Sequence, residues 1–138
     1  MGKTLRFSVS MDEELLGKFD DLTRRKEYEN RSESLRDIIR DALVKEEWKQ
    51  NEEIVGTITL VYDHHKRELM QQLTGIQHDL LGSVLSTLHI HLDHHNCMEV
   101  IVVRGRAKQV QKLTNRLLKI KGVKHGRLSA STTGKILC

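Results

Sequence analysis

Thr4-Leu5-Arg6-Phe7-Ser8-Val9-Ser10-Met11 alternates polar and apolar side chains, with Phe7, Val9 and Met11 on one face and Arg6, Ser8 and Ser10 on the other. A period of two is that of a half-buried strand. Ser10, followed three residues later by Glu13, has the form of a capping box, and Leu15, Leu16, Phe19 and Leu22 then recur at helical spacing. This predicts a helix over about 12–26. Asn30 with Glu33 repeats the capping signal, and Leu35, Ile38, Ile39, Ala42 and Leu43 form an apolar stripe, which predicts a second helix over about 31–48. A strand-helix-helix segment of about fifty residues cannot bury both stripes and leave its strand unpaired. The arm is therefore expected to dimerise, pairing the strand with its two-fold mate as an antiparallel ribbon.

Such a ribbon fits the DNA major groove. Arg6 can donate to guanine O6 and N7, and Ser8 and Ser10 can reach bases or phosphates, although Ser10 has a rival role as helix cap. Asn30, Arg31 and Ser32, at the start of the second helix, would add a phosphate-binding helix N-terminus; they equally describe any capped helix.

Outward from the arm, the polar run Lys49-Gln50-Asn51-Glu52-Glu53 reads as a linker. β-Branched residues from Ile54 to Tyr62 predict a strand, and Leu69, Met70, Leu73 and Ile76 a helix over about 64–78. A strand over about 83–92, a short turn and a strand from Cys97 to Arg104 follow. A helix carrying Val110, Leu113 and Leu117 comes next, and Gly122 precedes a last strand from Val123 to about Ser131. The order βαββαβ is the split βαβ or ferredoxin-like arrangement. The fold class expected is α+β, with a ribbon-helix-helix domain over 1–48, a linker over 49–53, a ferredoxin-like domain over 54–132 and an unpatterned tail over 133–138.

Of 138 residues, 38% are hydrophobic and 30% charged, the balance of a folded rather than a disordered chain. No apolar run approaches the roughly 20 residues that span a bilayer, and the start lacks the layout of a secretory signal. A cytoplasmic protein with no membrane partner is expected. The formal charge of +4 is unevenly spread: residues 1–53 hold 11 Lys+Arg against 14 Asp+Glu, and residues 54–138 hold 12 against 5. A DNA-reading face in the arm must come from local placement of charge. All eight histidines and both cysteines, Cys97 and Cys138, follow residue 53.

The strongest chemical signal is His89, His91 and Cys97. Residues two apart on a strand share a face, so His89 and His91 point one way while Leu88, Ile90 and Leu92 are expected in the core. With a hairpin loop over 92–96, Cys97 falls opposite His91 and its sulfur joins that face. A thiolate with imidazoles suits zinc, nickel or copper better than magnesium or calcium. The same alternation also describes a solvated sheet face; the well-placed cysteine favours metal. His78, at the end of the preceding helix, is the candidate fourth ligand, and Glu99 is either an acceptor for a ligand N–H or a surface charge. His64, His65, His94, His95 and His125 read as solvated side chains, with the two adjacent pairs as the alternative, auxiliary metal sites.

Taken together these residues resemble the nickel-responsive regulators of the NikR family. The resemblance is carried by Arg6 to Leu16, Asn30 to Arg40, Val61-Tyr62-Asp63-His64, Gln77-His78, Thr87-Leu88-His89-Ile90-His91 and Cys97-Met98-Glu99. It implies that His78, His89, His91 and Cys97 are a nickel quartet holding one square-planar Ni(II) per subunit, with His78 supplied by a neighbouring subunit. It also implies an ACT-like regulatory domain, a homotetramer built as a dimer of dimers, and repression through a palindromic double-stranded DNA operator. Glu33 and Asp37 would help hold a cation between the two domains on DNA. No organic cofactor is expected, and the tail from Thr132 departs from the pattern, so Cys138 receives no role.

The competing readings are a zinc-dependent or an amino-acid-responsive ribbon-helix-helix regulator. An enzyme with Cys97 as nucleophile is not favoured, because ligands on one open strand face offer no oxyanion donors or pocket.

Overall fold

The computed structural model describes residues 2–65, 69, 71, 72, 74–76 and 83–137. Contacts divide the chain into two compact units, Met1–Leu43 with Gly134–Cys138, and Val44–Thr133.

In the first unit, α1 spans Glu13–Arg25 and α2 begins at Arg31 and runs to Lys49. The cap of α1 is Asp12 rather than Ser10: its carboxylate accepts from Glu14 N at 2.9 Å and Leu15 N at 3.4 Å. Ser10 lies two residues too early to reach these first free N–H groups. Asn30 does cap α2, its Oδ1 accepting from Glu33 N at 2.9 Å. The two helices are tied by a fork in which Arg31 Nε and Nη2 donate to the two oxygens of Asp20 at 2.8 and 2.9 Å. Residues 2–12 form no strand within the chain. The ladder expected there needs a second copy, and without one Leu5, Phe7 and Val9 are 78%, 71% and 60% exposed.

The second unit is a four-stranded antiparallel sheet of β1 Glu53–Asp63, β2 Val84–His91, β3 Asn96–Arg106 and β4 Val123–Ala130, with α3 Ala107–Leu118 between the last two. Its order, β2-β3-β1-β4, puts the first and third strands at the centre, as the split βαβ repeat requires. The described residues between β1 and β2 include helical 69, 71, 72 and 74–76; Met70, Leu73 and His78 lie outside the described residues.

Alternation sets the core. Ile54, Ile58, Leu60 and Tyr62 of β1, Cys97, Ile101 and Val103 of β3, and Val110, Leu113 and Leu117 of α3 are buried together. The last turn of α2 is fastened to the end of β4, Trp48 Nε1 donating to Ser131 O at 2.9 Å and Thr132 Oγ1 to Glu47 Oε1 at 2.7 Å.

Close packing of α3 over the sheet depends on Gly126 of β4, opposite Leu60. A Cβ there would sit 2.8 Å from Leu60 Cδ2 and overlap Leu118 Cδ2. Gly126→Ala is therefore expected to cost about 1–3 kcal/mol. Gly105→Ala, whose added Cβ meets nothing closer than Gln109 Oε1 at 3.5 Å, should change stability by less than about 1 kcal/mol. Denaturant titrations at one fixed protein concentration check both; equal midpoints for the two variants would contradict this packing.

Candidate metal centre

Across the β2–β3 ladder His91 faces Cys97 and His89 faces Glu99. Directly opposed residues share a face, so both imidazoles lie on the side of buried Cys97, Ile101 and Val103. This corrects the expectation for the alternate residues. Leu88, Ile90 and Leu92 are not core: they are 57%, 39% and 50% exposed. The histidines' face is the one that carries the core, and His89 and His91 stay accessible because β2 is an edge strand.

Asp93 organises the connecting loop. Its Oδ1 accepts from His95 N and Asn96 N, each at 2.8 Å, and its Oδ2 from the Asn96 side-chain amide at 2.9 Å. These donors, the Asn96 side chain foremost, hold its carboxyl down at about 2. The turn fixed in this way brings Cys97 Sγ to 3.3 Å from His91 Nδ1.

His64, just past β1, completes a three-donor set. Its backbone N donates to His95 O at 3.1 Å, which holds it beside the hairpin loop. One ligand atom each from His64, His91 and Cys97 lies within 4.8 Å of the others. His64 Nδ1 is buried and, among the described residues, has no hydrogen-bond partner. A buried polar atom without a partner costs free energy unless something binds it. One sulfur and two imidazole nitrogens are the donors that zinc or nickel takes, so the residues fit such an ion. Desolvation pushes the His64 pKa down, which keeps the imidazole in its neutral, ligating form. Burial pushes the Cys97 thiol up, so a metal must displace its proton.

His89 is held from behind by a residue that had no expected role in the site. Tyr62 is directly opposite Cys97 on the neighbouring strand, and its hydroxyl lies 3.0 Å from His89 Nδ1 and donates to Glu99 Oε2 at 3.4 Å. The phenol has one proton. When the phenol donates to Glu99, Nδ1 of His89 carries its own hydrogen, which leaves Nε2 as the lone-pair nitrogen. Burial and the Glu99 charge raise the Tyr62 pKa and keep the phenol protonated. The available signal was a tyrosine at the buried end of an alternating strand, where its hydroxyl needs a partner.

The other histidines are more loosely placed. His65 Nδ1 is 3.3 Å from Asp63 Oδ1, and the rings of His65 and His95 are 5.3 Å apart. His94 lines an open cavity of about 490 Å³ with His64, His65 and His91. His125 is exposed on β4. In the first unit Arg6, Ser8, Ser10 and Ser32 are exposed, Asn30 and Arg31 are engaged as cap and fork, and Asp37 accepts from Tyr28 Oη. That hydrogen bond raises the Tyr28 pKa. Glu33, one turn before Asp37 on α2, is half-buried.

Comparison with known proteins matches residues 55–131 to the NikR C-terminal nickel binding domain and residues 6–46 to the copG family of ribbon-helix-helix proteins. The chain is 55% identical over 138 residues to a protein of Nitratidesulfovibrio vulgaris named "Putative nickel-responsive regulator", covering 99% of each. Proteins of the same name from Solibacter usitatus and Pyrococcus furiosus are 58% identical over 130 residues and 51% over 132, covering 94% of both chains in the first case and 95% and 96% in the second. A solved structure of an uncharacterised Thermotoga maritima protein overlays with a TM-score of 0.53 at 15% identity, covering 57% of this chain and 98% of that one, a likeness of fold alone.

Because Tyr62 orients His89, Tyr62→Phe should lower nickel affinity about 10- to 100-fold while leaving the circular dichroism unchanged. Competition against a chelator of known affinity reads this directly. An unaltered affinity would mean that the hydroxyl does not position the ring.

Proposed function

Because the chain belongs to the nickel-responsive ribbon-helix-helix regulators, we propose that it is a repressor that binds a palindromic operator when its C-terminal domain holds Ni(II), one per chain, on His89, His91 and Cys97, with His78 of a neighbouring copy as fourth ligand. The observation that supports this most is the β2–β3 register, which gathers two imidazoles and a buried thiol on one accessible edge. Bound there, nickel would supply a Lewis-acid centre that joins these donors to a ligand from a second chain. The protein's own part is to keep Cys97 dry, to release its proton on binding, and to hold the His89 ring through Tyr62 with Glu99 behind it. Apparent nickel affinity accordingly rises with pH through the neutral range. His64, with His65, His94 and His95 around the same loop, would take further metal as an auxiliary site, although its place beside His91 and Cys97 makes it a rival of His89 in the first site.

Two separate apolar surfaces support a dimer of dimers. Leu5, Phe7, Val9 and Leu15 are exposed in the first unit, and Leu85, Leu88, Ile90 and Leu92 in the second. One isologous contact through each face makes a closed tetramer. Paired ribbons would present Arg6, Ser8 and Ser10 twice over, hence the palindrome. Asn30, Arg31 and Ser32 would meet backbone phosphates, and Glu33 with Asp37 would hold a cation between the domains once DNA is bound. No helix among the described residues is long and apolar enough to cross a membrane, in keeping with a cytoplasmic regulator.

The test uses duplexes selected from a random pool by the nickel-loaded chain. They should converge on two inverted half-sites, and Arg6→Ala should cost about 1–3 kcal/mol of specific binding with nickel affinity intact. Cys97→Ser should remove the nickel-dependent gain in DNA binding while the oligomeric mass and circular dichroism persist, and Cys138→Ser should change nothing. A single asymmetric site, or full nickel dependence in Cys97→Ser, would overturn the reading.

A further inference from the structure

Glu99 is the last acidic residue of the chain: residues 100–138 hold ten Lys and Arg and no Asp or Glu. Four of the ten, Lys108, Lys112, Arg116 and Lys119, recur along α3 and its C-cap. At about 100° per residue they fall within roughly 80° of one another. Their side of the helix is opposite to buried Ala107, Val110, Leu113, Thr114 and Leu117. All four are exposed, and among the described residues none takes part in an ion pair.

Helix stability does not account for this stripe. Like charges at i, i+4 oppose helix formation by about 0.2–0.5 kcal/mol per pair. The first turn of α3 carries Lys108 and no acid, the reverse of what the helix dipole favours. A polyanion outside the chain would offset both effects. The four cations span about 16 Å along the helix, a distance over which each strand of B-DNA presents about five phosphates.

We propose that this stripe is a second DNA-contacting surface, through which the C-terminal domain engages the phosphate backbone of duplex DNA without reading its sequence. The proposal rests on the DNA-binding reading above and extends it to a domain otherwise assigned to metal. Duplex DNA is favoured over other polyanions because the chain carries a ribbon-helix-helix domain whose own third of the sequence is net acidic, 11 Lys+Arg against 14 Asp+Glu over residues 1–53. The few cations the arm can place locally against phosphates leave room for a charge-driven contribution from elsewhere in the chain. A membrane surface is disfavoured because the apolar face of α3 is already committed to the core, leaving nothing to insert among lipids.

The experiment compares the full-length chain with its Lys112→Gln/Arg116→Gln/Lys119→Gln variant. Both are titrated over a series of KCl concentrations against a labelled duplex of random sequence, with a single-stranded RNA and phosphatidylglycerol vesicles as parallel probes. Loss of three phosphate contacts should flatten the plot of log K against log salt by about 2 to 3 and weaken binding to the duplex. Nickel binding and circular dichroism should be unchanged. A Lys49→Gln/Arg127→Gln/Lys135→Gln control, which loses the same charge away from the stripe, should keep the original slope. An unchanged slope in the first variant, an equal loss in the control, or a loss seen only with RNA or vesicles would overturn the proposal. If the unaltered chain bound no duplex at all, the DNA-binding reading itself would fall first.

Discussion

Slipping β2 by one residue against β3 would turn His89 and His91 to the other face of the sheet and leave buried Cys97 with His64 as its imidazole neighbour. The site therefore depends on register more than on any single bond. Two features hold it. Along β3, Ile101 and Val103 alternate inward with Cys97 and Glu99 and are paired with β1, which fixes the face that Cys97 takes. At the turn, Asp93 accepts hydrogen bonds from His95 and Asn96 that fit only one loop length. Aliphatic burial and one carboxylate thus position a thiol and two imidazoles.

The edge position of β2 explains why this ligand set is both preorganised and open to a further donor. Its core-side face carries the donors, while Leu88 and Ile90 project from the other side into open space. A second copy that covered those leucines and supplied a further imidazole would link metal occupancy to assembly, and by thermodynamic reciprocity to whatever the assembly binds. The N-terminal unit has the same unfinished character. Its alternating strand makes no ladder in a single chain, and the apolar side chains of residues 5–11 have no cover of their own. A regulator assembled as proposed, with a partner copy on each domain, would have in its quaternary arrangement a ready variable for a metal to bias.

Much of this was legible in the sequence because it rests on local periodicity. The two capped helices, the four strands and the facing of Cys97 and His91 all follow from periods of 3.6 and 2 with one short turn. What was not legible required knowing which face of the sheet carries the core. Alternation alone assigns Leu88, Ile90 and Leu92 to one side and the histidines to the other, and hydrophobicity then puts the leucines inside; the structure reverses this, since the donors share the face of Cys97 and Ile101. The cap of α1 moved from Ser10 to Asp12 because both residues can cap and only the helix start decides between them. The role of Tyr62 was not legible because it comes from a neighbour across the sheet, a pairing no local pattern reveals.

In the proposed site Ni(II) binds this chain through the sulfur of Cys97 together with imidazole nitrogens. Nickel-edge X-ray absorption on the full-length protein loaded with one Ni(II) per chain reads these ligands. One sulfur scatterer per nickel is expected beside nitrogen scatterers with the outer-shell signature of imidazole. A spectrum fitted by nitrogen and oxygen alone would contradict it.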